Sequence, residues 1–114
     1  MKTQTIFDSK CNFELIIFIG ENAEENWSII DKASQYDYWF HLMGKPSCHV
    51  ILKLPSCKST INKQSLIQCA ILCKENSKFA EYKNIKVMYT RIKNVKKGDV
   101  IGSVHTSNDE VIIV

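Results

Sequence analysis

The sequence predicts an α+β fold, a mostly antiparallel sheet with two main helices. Three observations carry this. Short runs rich in Ile, Val and Phe recur along the chain, some of them alternating apolar and polar residues with period two. Two other stretches repeat apolar residues at helical spacing instead. Turn-forming residues separate neighbouring runs at hairpin distance.

Thr5–Asp8 and Phe13–Ile19 read as strands joined by a turn over Ser9–Asn12. Gly20 ends the second strand, where free backbone rotation suits a change of direction. Asn22 can cap a helix running to about Ala33, with Trp27, Ile30 and Ala33 or Ser34 on one face. Tyr38–Leu42 and Cys48–Leu52 form a hairpin around Met43–Ser47. A polar loop, Pro55–Ser59, follows. Leu66, Cys69, Ala70 and Cys73 then recur at i, i+3, i+4 and i+7, an amphipathic helix capped by Thr60 or Asn62. Ile85, Val87 and Tyr89 alternate with Lys86, Met88 and Thr90, which is a strand. Gly102–Thr106 and Val111–Val114 are expected to close the fold as a hairpin over Ser107–Glu110.

The 114 residues suit one domain, residues 1–114, with no internal repeat or low-complexity linker. Apolar residues at 45% and charged residues at 24% allow a packed core and argue against disorder. Five cysteines cannot all pair, no Cys-x-x-Cys occurs, and no long apolar run follows Lys2. A reducing, cytoplasmic compartment is expected. Leu15–Ile19 is too short to span a bilayer, so no membrane partner is expected.

Net charge is only +3, but it is unevenly placed. From Lys83 to Lys97 there are six basic residues, Lys86, Arg91, Lys93, Lys96 and Lys97 among them, and no acid; Lys96 and Lys97 are expected in a loop between strands, just before Gly98. From Glu21 to Lys32 the balance is acidic. A chain polarised in this way can present a basic face to an anionic partner, although lysines also decorate solvated strand edges.

A hairpin centred on Lys45 sets His41 directly opposite His49, with Cβ atoms about 4.5–5.5 Å apart on one face. Two imidazoles could share a metal, but no third ligand is fixed nearby and Cys48 falls on the other face, so no metal is expected. A polar binding face beside Trp39 is the alternative. Cys69 and Cys73 lie within an apolar helix face, which suits core packing. Gly-rich phosphate loops, nucleophile elbows and carboxylate pairs at catalytic spacing are absent, so neither an enzyme nor a cofactor is expected. Asn22 and Asn26, at i and i+4, place two amides on one helix face.

Four motifs in order resemble the NFACT RNA-binding domain family. They are Gly20 with Asn22 and Asn26; Asp37-Tyr38-Trp39-Phe40-His41; Pro46-Ser47-Cys48-His49-Val50; and Val87-Met88-Tyr89-Thr90 followed by Val95-Lys96-Lys97 and Ile101-Gly102-Ser103-Val104. The family pattern has a basic residue where Glu21 stands and Pro-Gly-Ser where this chain has Pro46-Ser47-Cys48. The resemblance spans about Phe13 to Val114. It implies a non-catalytic module binding RNA, tRNA or rRNA, in proteins that act on stalled large ribosomal subunits and so serve ribosome quality control. Lys86, Arg91, Lys93, Lys96 and Lys97 would then meet phosphates. Trp39, His41, His49 and Tyr89 would stack or hydrogen-bond, and Asn22 and Asn26 would add polar contacts. The alternatives are an adaptor binding a ribosomal or other protein partner, and a DNA-binding module.

Overall fold

The computed structural model describes residues 1–56 and 59–114. In chain order it contains β1 (Lys2–Asp8), β2 (Phe13–Ile19), α1 (Ala23–Lys32), β3 (Tyr38–Leu42), β4 (Val50–Lys53), α2 (Lys63–Glu75) and β5 (Lys86–Arg91). A single 3-10 turn, β6 (Val95–Lys97), β7 (Val104–Thr106) and β8 (Glu110–Ile113) complete it. Six strands form one sheet in the order β1-β2-β4-β3-β5-β8, every neighbour antiparallel, and β6 and β7 form a separate ribbon. The fold is therefore α+β with a mostly antiparallel sheet, as the sequence predicts.

Strand alternation sorts the apolar residues into two cores. Leu15, Ile17, Ile19, Phe40, Leu42 and Val87 face α2, where they meet Cys69, Ala70 and Cys73. Trp39 and Ile51 face the other way, against Ile29 of α1 and Ile92, with Val95 and Val104 of the ribbon packed at the margin. The unbroken run Val50-Ile51-Leu52 follows from this: β4 is covered on both faces, and all three residues are fully buried.

Two turns join these layers. Asp8, at the end of β1, accepts from the backbone N–H groups of Lys10 and Cys11 on one oxygen, and from Asn62 N–H and the Ser65 hydroxyl on the other. It thereby ties the first hairpin to the start of α2. Asn62 occupies the cap position predicted for it, but its side chain donates to Ser9 Oγ and makes no cap bond; the Asp8 carboxylate instead fixes the helix start through the Asn62 N–H and the Ser65 hydroxyl. At the other corner Gly102 (φ +88°) lies against Ala23, where an added Cβ would come 2.8 Å from the Ala23 Cβ. That contact seats the β6–β7 turn on the first turn of α1.

Three expectations need correction. β7 and β8 do not form a hairpin: β7 pairs with β6 and β8 pairs with β5. Val104 is drawn to the Trp39 side and Ile112 to the α2 side, so the two strands belong to different cores. Lys96 and Lys97, expected in a loop, lie within β6. Ile30 and Ala33 of the face expected for α1 do pack against the core, but its buried residues are Asn26 and Ile29, and Trp27 turns aside, its indole N–H donating to Ser103 O at 2.9 Å. The polar loop predicted over Pro55–Ser59 lies partly outside the described residues, at Cys57 and Lys58.

Candidate nucleic-acid interface

The register of β3 against β4 pairs Phe40 with Val50, and this carries His41 opposite His49 as the hairpin centred on Lys45 requires. The two imidazoles meet edge to face, 5.3 Å between ring centroids. Trp39 is 1% exposed and holds them: it stacks on His41 at 5.7 Å, and its Nε1 donates to His49 Nδ1 at 3.1 Å. With Nδ1 accepting, His49 carries its proton on Nε2. His41 Nδ1 lies 2.6 Å from Leu42 O, so it donates there and leaves Nε2 as an acceptor. The pair thus combines one ring donor with one ring acceptor.

Burial first, and then the neighbouring His41, push the His49 pKa down to about 3. Burial also lowers His41, against the opposing effect of its bond to Leu42. Both rings are neutral at pH 7 and offer hydrogen bonds, not charge. Stability should respond. The unfolded His49 gains its proton near the usual value of 6.5, whereas the folded ring gains it only near 3. Its contribution is therefore complete above pH 6.5 and declines as pH falls towards 3. The expected loss is about 2 kcal/mol by pH 5, read as a falling melting temperature. A melting temperature flat between pH 7 and 5 would contradict the buried neutral ring.

Asn26 is buried, and its Oδ1 accepts from the His49 backbone N–H at 3.1 Å. Gly20 makes room for this amide, since a Cβ there would collide with Asn26 Oδ1, and its N–H donates to His49 O at 3.0 Å. Asn22 caps α1, its Oδ1 accepting from Glu25 N at 2.9 Å. Glu25 Oε1 in turn accepts from Glu21 N at 2.9 Å, one residue before the cap, and carboxylates in the first turn of a helix also favour its dipole.

Asn22, Asn26, His41 and His49 come together in a cleft of about 580 Å³ between the start of α1, the segment from Pro46 to His49, residues 76–78 and the tip at Ile101–Gly102. A second hollow of about 390 Å³ shares His41, His49 and Gly102 with it and runs on towards Met88 and Lys45. Lys2 and Lys78 line the first and Lys45 the second; Glu21 also lines the first. No pattern in the sequence marks these three lysines, which arrive from three distant segments.

The remaining basic residues do not join one surface. Residues five apart on a strand face opposite ways, so Lys86 lies on the side of Met88 while Arg91 lies on the side of Tyr89. Arg91 sits 4.0 Å over the Tyr38 ring and donates to Tyr36 O, and Lys93 lies over Tyr36. Tyr89 stacks on Phe40 on the α2 side, and its hydroxyl donates to Glu110 at 2.6 Å. Burial first, and then that carboxylate, push the Tyr89 pKa up to about 12. Lys97 pairs with Asp31 at 2.7 Å over the Trp27 ring, and Lys96 stands opposite His105. Among the described residues no group of three or more His, Cys, Asp or Glu could hold a metal, and no helix is long and apolar enough to cross a membrane.

A sheet with a helix on each face and an open cleft of amides, neutral imidazoles and lysines at one corner defines a binding module. Residues 4–107 match the family described as NFACT protein RNA binding domain, and the chain belongs to that family. It is 36% identical over 84 residues to coiled-coil domain-containing protein 25 of Danio rerio, covering 71% of this chain and 41% of the relative. It is 29% identical to the Rqc2 homolog RqcH of Bacillus subtilis (strain 168), covering 73% of this chain and 14% of that protein. The chain thus spans well under half the length of these relatives. The solved C-terminal part of the fibronectin/fibrinogen-binding protein from Streptococcus suis shares the fold, with a TM-score of 0.81 over 100% of this chain and 45% of that one at 21% identity.

Proposed function

We propose that the chain binds structured RNA, tRNA first, in the cleft between the start of α1 and the β3–β4 connection, as a non-catalytic module of cytoplasmic ribosome quality control. The observation that carries this is the convergence of Asn22, Asn26, His41 and His49 in one cleft lined by Lys2 and Lys78, with Lys45 lining the adjoining hollow that shares both histidines. Neutral imidazoles that donate and accept suit ribose hydroxyls and the edges of unpaired bases. The lysines suit phosphates. The family match and the relation to RqcH support RNA and the ribosomal setting.

Titration of tRNA, an unstructured RNA and a DNA of equal length across a salt series tests it. Three phosphate contacts predict a slope of log K against log salt of about −2 to −3, with tRNA bound most tightly. A flat salt response, or DNA bound as tightly as tRNA, would refute the reading. A protein-adaptor role draws on a different observation: Phe7 and Phe13 stand exposed on neighbouring strands at the β1 edge of the sheet. Tight, salt-insensitive binding to a ribosomal protein with no affinity for RNA would favour it.

A further inference from the structure

Cys48 and Cys73 face each other where the segment before β4 meets the end of α2. Cys73 Sγ lies 3.6 Å from Cys48 O, and Cys48 Sγ lies 3.9 Å from Cys73 O. Ser47 Oγ adds a 3.8 Å contact to Cys73 Sγ. The two sulfurs differ in access: Cys48 is half-buried and lines the cleft, whereas Cys73 is fully buried. Cys69, by contrast, is enclosed in the apolar core, where burial pushes its thiol pKa up.

We propose that Cys48 and Cys73 form a reversible dithiol–disulfide pair, a redox modification site at the wall of the cleft that takes a peroxide as its oxidant. Cys48 is the point of entry. The Cys73 side chain holds its thiol pKa below the usual 9.0 against the opposing effect of burial, and Lys2 adds to the lowering. The Cys48 thiolate attacks one peroxide oxygen, giving a sulfenic acid and releasing hydroxide. The Cys73 thiol then attacks the Cys48 sulfur: the S–O bond breaks, an S–S bond forms, and the thiol proton leaves with the hydroxyl as water. Two equivalents of a small thiol reverse the reaction, forming their own disulfide. Cys48 immediately precedes His49, so drawing its sulfur towards α2 reshapes the cleft beside the imidazole pair.

The test is made on the full chain without RNA, so its outcome is independent of the ligand. Dilute hydrogen peroxide should lower the intact mass by about 2 Da, the loss of two hydrogens in one disulfide. Peptide mapping should place the bond between Cys48 and Cys73, and dithiothreitol should restore the starting mass. Cys48→Ser, which installs the residue of the family pattern, should abolish the change. Cys73→Ala should instead accumulate a sulfenic acid at Cys48 that a cyclic 1,3-diketone traps. A bond mapped to any other pair of the five cysteines would overturn the proposal. So would an unchanged mass under conditions that oxidise free glutathione. The wild-type map decides the matter even if Cys73→Ala fails to fold.

Discussion

Asp8→Ala is expected to destabilise the protein by roughly 3–5 kcal/mol, because it leaves donors at a buried corner without their acceptor. The carboxylate is 1% exposed and accepts from Lys10 N, Cys11 N, Asn62 N and Ser65 Oγ. Burial alone would raise its pKa, but the Ser65 hydroxyl and the three backbone N–H groups outweigh it and hold the carboxyl below its usual 3.8. The folded state therefore favours the ionised form. Asp8's contribution is present above pH 3.8 and is lost as pH falls through the folded value. Denaturant unfolding of wild type and variant at pH 7 and at pH 2 checks both points. The gap should be full at pH 7 and smaller at pH 2. A gap below about 1 kcal/mol at pH 7 would mean that water replaces the carboxylate at no cost.

Lys45→Glu combined with Lys78→Glu should weaken RNA binding about 100-fold at low salt, since each reversal removes a phosphate contact and adds a repulsion. Lys96→Glu combined with Lys97→Glu should weaken it about threefold at most, because these residues lie on the ribbon and Lys97 is already paired with Asp31. The first pair borders the hollow and cleft that share the two histidines. Stability should shift by about 0.5 kcal/mol in either variant, as no core contact is lost. One RNA titrated against both variants at one salt concentration, alongside melting curves, makes the comparison. Equal losses would mean that overall charge drives association. A larger loss from the ribbon variant would move the site to β6.

What the sequence reveals depends on whether the cause is local. The Asn22 cap and the opposition of His41 and His49 were legible because each follows from spacing within one segment. The double burial of β4 was visible as an unbroken apolar run. β6 was not legible: three residues, Val95–Lys97, are too few to show alternation. The mispairing of β7 with β8 came from Ser107–Glu110, which has hairpin composition and holds Asn108 at positive φ, yet carries the chain between two cores. The acid-free run promised one basic face, and strand parity divided it. Trp39 reads as an exposed aromatic until the ribbon and α1 cover it. The lysines around the cleft come from positions 2, 45 and 78, and only tertiary structure brings them near the histidines.

The burial of β4 on both faces has a mechanical consequence. A strand shared by two cores can release its amide protons only when both cores open, so β4 should exchange with solvent as slowly as the whole chain unfolds. His49, tied by its own N–H to Asn26 and adjoining that strand, belongs to the same unyielding block. The opposite bank of the cleft is a short turn at residues 98–103, held by its own backbone bonds, by the seat of Gly102 on Ala23 and by one side-chain bond, from the Trp27 indole to Ser103 O. One bank behaves as an anvil and the other as a jaw, so a ligand that needs more room gains it by lifting the turn.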